Sequence, residues 1–353
     1  MDSAPTFRPV AGAPDEVERL VAGWLAADDP PALTVRTSGS SGVPKDVALS
    51  RRAVTASAAA TLERLGGPGQ WVLALRPQYV AGLQVVVRSV LAGTSPVVLT
   101  ERGGVAAATA ALTHSRRYLA LVPIQLHRML ASPTDTRALT GFDAVLVGGG
   151  AVRPELLERA RRQAVEVVTT YGMSETCGGC VYDGVPLDGV SLQVDDAGRI
   201  LLSGPVLFDR YVDQPALTAQ VLRDGWLHTP DLGRLDADGR LEVLGRVDDM
   251  AVSGGVNVPL AAVHARLLDH PAVNQAAVVG VPDAEWGARV VAVLVPEAGV
   301  EQPRLDELRD FVSAVHPRTW APRQVVFTDV LPALESGKVD RLLLQRELAR
   351  LRV

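Results

Sequence analysis

Lysine is almost absent from this chain: Lys45 and Lys338 are the only two in 353 residues, every other cationic side chain being arginine. A lysine-rich patch for a polyanion is thereby excluded. A net charge of −5 and an isoelectric point near 5.7 leave no general electrostatic reason to bind nucleic acid or an anionic membrane. Cysteine is equally scarce. Cys177 and Cys180 cannot build a disulfide framework, and no histidine pair at finger spacing completes a zinc site with them, so they read as small packed residues. Long apolar runs are missing too, which excludes a membrane span. The opening Met1-Asp-Ser-Ala-Pro5 has neither a basic nor an apolar leader segment, and a cytoplasmic protein is expected.

What is present suits a large globular protein. With 47% hydrophobic residues, the chain can bury a sizeable core in two or three folding units. The runs Trp71–Leu75, Pro96–Thr100, Tyr118–Val122, Asp143–Val147 and Val165–Thr169 read as buried strands. Helical stretches at Val54–Arg64 and Pro154–Ala164 alternate with them, which predicts layered α/β structure with a largely parallel sheet. From Ser191 to Leu244 short strands and Asp-Gly turns predict a small antiparallel β unit. A separate α+β domain follows: helices at Pro259–Asp269, Leu305–Val315 and after Val339, with strands at Val273–Val281, Ala288–Val295 and Gln324–Thr328. The expected division is 1–245 and 246–353, with the second part mobile.

Thr37-Ser-Gly-Ser-Ser-Gly-Val-Pro-Lys45 has the makings of a phosphate cradle. Gly39 and Gly42 let the backbone approach an anion, while Thr37, Ser38, Ser40 and Ser41 add hydroxyl donors. It is not a Walker A loop, because Asp46 follows Lys45 where that motif needs a hydroxyl for magnesium. The glycines Gly148, Gly149 and Gly150 do not make a dinucleotide fingerprint either, Arg153 standing where a third spaced glycine belongs.

Taken with Thr170-Tyr-Gly-Met-Ser-Glu-Thr176, His228-Thr-Pro-Asp-Leu232, Gly245-Arg-Val-Asp-Asp249 and Ser336-Gly-Lys-Val-Asp-Arg341, the loop makes the chain resemble the adenylate-forming acyl-CoA synthetase superfamily. Five motifs in order across residues 37–341 carry that resemblance. It implies that a carboxylic acid is joined to AMP from ATP, with magnesium, and then passed to CoA. By the same resemblance Lys338 bridges the attacking carboxylate and the α-phosphate, Glu175 holds magnesium, and residues 37–45 hold the outer phosphates. Tyr171 stacks on adenine beside Gly148–Gly150, with Gly172, Met173 and Ser174 lining the nucleotide. Asp231 accepts from the ribose, Arg246 lies near ribose or phosphate, Asp248 is the hinge, and Ser253, Gly254 and Gly255 approach the acyl-adenylate in the CoA step. Plainer readings exist beside these: a solvated Lys338, a capping Glu175, an ordinary turn aspartate at 248.

Asp46, Pro230 and Val252 depart from the family pattern, and Tyr79 stands where many members carry histidine. The run Tyr79–Ser89 resembles the branch that acts on o-succinylbenzoate in menaquinone biosynthesis. That acid has two carboxylates, so Arg88, a cation in an apolar run, either holds the one not activated or pairs with a structural acid. Another aryl or short aliphatic acid, delivery to a carrier-protein thiol, and a non-catalytic nucleotide-binding regulator stay open, as does a homo-oligomer.

Overall fold

The computed structural model describes residues 7–37, 45–334 and 339–350, apart from the side chain of Asp248. Backbone contacts divide the chain into two compact units: Met1–Asp195 with Leu201–Thr229 and Leu235–Leu241, and Asp196–Ile200 with Pro230–Arg234 and Glu242–Val353.

A seven-stranded sheet organises the first unit. Its order is Val185–Pro186, Gly178–Tyr182, Val167–Met173, Ala144–Gly148, Arg117–Leu121, Gln70–Leu73, Val97–Val98. The last five strands of that order run parallel and the first two antiparallel. The inner strands Gln70–Leu73, Arg117–Leu121 and Ala144–Gly148 are short runs buried on both faces, as crossover helices on either side require. On one face Val72, Leu119, Leu121, Val145 and Val147 pack with Leu126, Leu130, Leu156 and Ala160 of the covering helices. Alternate residues point the other way, where Trp71 and Tyr118 meet with ring centroids 4.9 Å apart.

Of the expected strands, Trp71–Leu75 ends at Leu73, Val165–Thr169 begins at Val167, and Pro96–Thr100 is cut back most. Its ladder holds for Val97–Val98 alone, and Leu99–Arg102 is helical. This strand is at the sheet edge with one neighbour, so β-branched propensity there has little pairing to support it. The Arg51–Arg64 helix starts three residues earlier than expected, behind Ser50, whose Oγ accepts the Ala53 N–H at 3.4 Å.

Arg8–Pro9, Leu33–Arg36, Asp46–Leu49 and Arg210–Tyr211 form a second, four-stranded sheet absent from the sequence reading. Between residues 191 and 246 lies a five-stranded sheet in the order Ser191–Val194, Arg199–Ser203, Trp226–Leu235, Leu222–Arg223, with Leu241–Arg246 also on Trp226–Leu235.

The second unit's sheet runs Val256–Pro259, Met250–Ser253, Gly287–Pro296, Val273–Asp283, with Gln324–Phe327 parallel to Gly287–Pro296. Strand alternation sorts its core into two clusters. Val278, Val290, Ala292 and Leu294 pack with Val263, Leu267, Leu308 and Val312, whereas Val279, Val281, Val291 and Val293 pack with Leu344 and Leu348. The sheet is thus covered by Leu260–Leu268 and Leu305–Ser313 on one face and by Arg341–Arg350 on the other. No helix among the described residues is long and apolar enough to cross a membrane.

Candidate active site

Leu33–Arg36 and Asp46–Leu49 pair antiparallel and bracket the hydroxyl-rich segment. Thr37 N–H donates to the Lys45 carbonyl at 2.8 Å, and Lys45 N–H donates to Thr37 Oγ1 at 3.1 Å, closing its base. Ser38, Gly39, Ser40, Ser41 and Gly42 lie outside the described residues. Asp46, the departure beside the lysine, pairs across the hairpin with Arg36, Nε to Oδ1 at 3.0 Å. A glycine there could not make that bond. Both side chains are largely exposed, so the pair sets hairpin geometry more than stability.

The Gly-rich segment leaves the end of the Ala144–Gly148 strand. A Cβ on Gly148 would stand 2.1 Å from Thr170 Oγ1, so only glycine allows the two strand ends to close up. Strand order reverses at Gln70–Leu73, with Val97–Val98 added on one side of it and Arg117–Leu121 on the other, all three parallel, the arrangement that opens a ligand crevice beyond the carboxyl ends of strands. Gln125 ties those two ends: Nε2 donates to the Ala74 carbonyl at 3.0 Å, and Oε1 accepts the Val122 N–H at 3.0 Å. Gly149, at φ +76°, lies next to Val122 in the same place.

Tyr171, Gly172 and Met173 end the neighbouring strand, and Ser174–Thr176 turns as a single 3₁₀ coil. The backbone is tight here: a Cβ on Gly172 would meet the Gly178 carbonyl at 2.0 Å. Buried Thr176 holds the turn, its Oγ1 accepting the Met173 N–H at 2.9 Å and donating to the Gly178 carbonyl at 2.7 Å. That turn presents Glu175. Its Oε1 accepts the Tyr211 hydroxyl at 2.6 Å, and its carbonyl accepts the Phe208 N–H at 2.8 Å. Lys45 Nζ stands 5.1 Å from the centre of the same tyrosine ring. Lys45 and Glu175, predicted as parts of one site, thus meet through a residue that no motif had marked. Its signal in the sequence was only rarity, tyrosine occurring five times.

Cys177 and Cys180 follow the turn, both fully buried and unbridged. Burial raises both thiols, Cys180 to about 12, which keeps them protonated and unreactive. The packed-residue reading stands.

Tyr79 caps the Val80–Leu91 helix, and Arg88 lies over two turns further along it. Arg88 is 3% exposed, with its guanidinium carbon 5.0 Å from the centre of the Trp71 ring. Burial depresses its pKa, while nearby Tyr182 acts the other way. The ion pair with a structural acid, one of the two expectations, is not found among the described residues. Arg88 Nε, Gln84 Oε1 one turn before it, and Trp71 Nε1 are all buried without a hydrogen-bond partner there. Such groups ordinarily find partners.

In the second unit Asp231 is nearly buried, with Oδ1 3.5 Å from Arg246 Nη1. Asp248 is in the 3₁₀ turn Val247–Asp249, whose Asp249 pairs with Arg341. Ser253, Gly254 and Gly255 form the tip of the Met250–Ser253 and Val256–Pro259 hairpin. Both glycines there have positive φ, and a Cβ on Gly254 would meet the Trp286 ring at 2.9 Å. Val252 is 54% exposed on that hairpin. Lys338 lies outside the described residues.

No group of three or more His, Cys, Asp or Glu residues among those described could hold a metal ion. A lone carboxylate such as Glu175 still fits magnesium, which keeps several waters and completes its shell with substrate phosphates.

Comparison with known proteins agrees with this arrangement. The family model for AMP-binding enzymes matches residues 8–211, and that for the AMP-binding enzyme C-terminal domain matches 262–338. A Mycobacterium tuberculosis protein described as "Probable 2-succinylbenzoate–CoA ligase" is 46% identical over 329 residues, covering 91% of this chain and 86% of that one. Bacillus subtilis o-succinylbenzoate CoA synthetase, solved with its acyl-adenylate intermediate, superposes with a TM-score of 0.77 at 29% identity, covering 89% of this chain and 68% of that one. The same enzyme solved with ATP and magnesium gives a TM-score of 0.76 at 29% identity, covering 89% and 69%.

Proposed function

The chain belongs to the AMP-binding enzyme family, and from that premise we propose that it activates o-succinylbenzoate with ATP and delivers the acyl group to CoA. A carboxylate is a poor acyl donor because its oxygen leaves badly. In the first step that oxygen attacks the α-phosphorus of ATP, the bond to the β-phosphate bridging oxygen breaks, and pyrophosphate departs. In the second, the CoA sulfur attacks the acyl carbon and AMP leaves, giving the thioester. Two anions must approach each other first, so the main task is to supply charge and donors set in place beforehand. Magnesium, when bound with ATP, neutralises phosphate charge.

Thr37, Lys45 and the loop between them grip the outer phosphates, Glu175 faces the magnesium, and Tyr171 with Gly148–Gly150 receives the adenine. Asp231 and Arg246 take the ribose side, and Lys338 bridges carboxylate and α-phosphate. Asp248 lets residues 246–353 turn against 1–245 between the steps, bringing Ser253–Gly255 close to the acyl-adenylate for the CoA step. The observation that carries the assignment is the convergence of Lys45 and Glu175, 130 positions apart, on Tyr211. Arg88 is assigned the second carboxylate, which its unpartnered, buried Nε supports. The reaction is assigned to the cytoplasm, a location that its co-substrates ATP and CoA suit.

Acid-dependent ATP–pyrophosphate exchange over o-succinylbenzoate, benzoate, an aryl propenoic acid and a short fatty acid, followed by thioester detection with CoA, tests the proposal. Exchange should be strong with o-succinylbenzoate alone. Benzoate working equally well would remove the substrate assignment and leave adenylation standing.

A further inference from the structure

The corner formed by residues 45, 175 and 211 holds more than the family motifs account for. Tyr211 is 4% exposed, and its backbone is fixed on three sides. It pairs with Val47 on the hairpin that carries the phosphate loop, its N–H donates to Thr218 Oγ1 at 3.0 Å, and the following Val212 N–H donates to the Asp46 carbonyl at 2.9 Å. Its ring packs against Phe208 with centroids 4.9 Å apart. A ring held this firmly can fix other groups.

We propose that Tyr211 is a positioning residue for the triphosphate site, setting the Glu175 carboxylate through its hydroxyl and the Lys45 ammonium through its ring face. This deepens the reading of Glu175 as the magnesium-facing carboxylate and rests on it. A hydroxyl-to-carboxylate distance of 2.6 Å is that of a strong, charge-assisted hydrogen bond. It engages Oε1 and fixes the carboxyl plane, which aims the other oxygen. On the ring face the ammonium at 5.1 Å is within cation–π range. One side chain therefore holds the site's cation and its anion at a set separation, and Lys45 and Glu175 are each only partly buried. The Phe208 N–H on the Glu175 carbonyl locks the same turn from behind, so the carboxylate has little freedom other than rotation about its own bonds.

Tyr211→Phe removes the hydroxyl and keeps the ring. If the carboxylate is aimed by that hydroxyl, half-saturating magnesium should rise about tenfold, the lower end of what loss of a partner behind a metal ligand costs, read both from activity and from magnesium-dependent calorimetric binding of a non-hydrolysable ATP analogue. KM for the acid should stay within about twofold, because nothing at the acyl side has changed. Tyr211→Leu removes the ring as well and should in addition raise KM for ATP. Half-saturation does not depend on the amount of folded enzyme, so partial loss of stability leaves the reading intact. Phe208→Leu loosens the packing without touching the hydroxyl and serves as the control for a merely structural role. Should Tyr211→Phe fail to fold, Tyr211→His, which retains a ring and a donor, takes its place and should give a smaller shift in the same direction.

The decisive comparison is on a Glu175→Gln background. There Tyr211→Phe should cause no further magnesium shift, since the group it acts through has gone. An unchanged magnesium midpoint in Tyr211→Phe, or an equal shift in Phe208→Leu, overturns the proposal. Glu175→Gln leaving the magnesium dependence unchanged would instead remove the earlier reading of Glu175, so the two failures are told apart.

Discussion

Replacing Arg88 with methionine separates a binding role from a packing role, because the two predict opposite signs for stability. Arg88 is 3% exposed, its Nε is unpartnered among the described residues, and burial depresses its pKa with no carboxylate among those residues to compensate. Arginine remains protonated at any working pH, so the folded protein carries that desolvation cost throughout. Exchanging a buried charge for an apolar side chain of similar length is neutral or stabilising by about 1–4 kcal/mol. Loss of the stack on Trp71 takes back up to about 2 kcal/mol. The net expectation is a variant of equal or greater stability, with a midpoint unchanged or raised by several degrees at about 2–4 °C per kcal/mol. Activity should move the other way. A desolvated carboxylate contact is worth about 2–5 kcal/mol when one partner is removed, or roughly 30- to 5,000-fold in kcat/KM. Thermal denaturation paired with pyrophosphate release on o-succinylbenzoate, and on an analogue lacking the second carboxylate, measures both. The native enzyme should discriminate strongly between the two acids and the variant weakly. A variant that melts lower and loses the same factor on both acids would show that Arg88 holds the helix to Trp71 and touches no substrate.

Three further outcomes are expected. Lys338→Ala should nearly abolish adenylation yet leave attack of CoA on supplied acyl-adenylate largely intact, and equal loss in both half-reactions measured separately would count against the proposed turn of residues 246–353 between the steps. Glu175→Gln should raise the magnesium requirement with little change in melting temperature, because one hard anionic oxygen is lost without a change of shape; a magnesium titration reads this. Gly172→Ala should lower stability by on the order of 3 kcal/mol and depress exchange activity, since its Cβ would stand 2.0 Å from the Gly178 carbonyl and the strand end carrying Tyr171 must shift; circular dichroism melts and the exchange assay test it.

Much of this protein is determined by its sequence alone. Strands such as Tyr118–Val122 and Val273–Val281 are legible because burial on both faces or on alternate faces demands runs of β-branched and aliphatic residues, and the helices between them carry their own caps and apolar stripes. The nucleotide motifs are legible because phosphate and ribose chemistry needs particular residue types at short spacing. What tertiary structure decided are the contacts made across long separations. Asp46 departs from its family for Arg36 on the opposite strand, a partner fixed by hairpin register. Tyr211 reaches Glu175 and Lys45 only because a two-residue strand, too short to show any period, pairs with the hairpin. Arg88 reads as a cation in an apolar run, and nothing local reveals that Trp71 covers it while its Nε has no partner among the described residues. Periodicity reports which face of an element is buried; which side chain waits on the other side is set by how the elements are stacked.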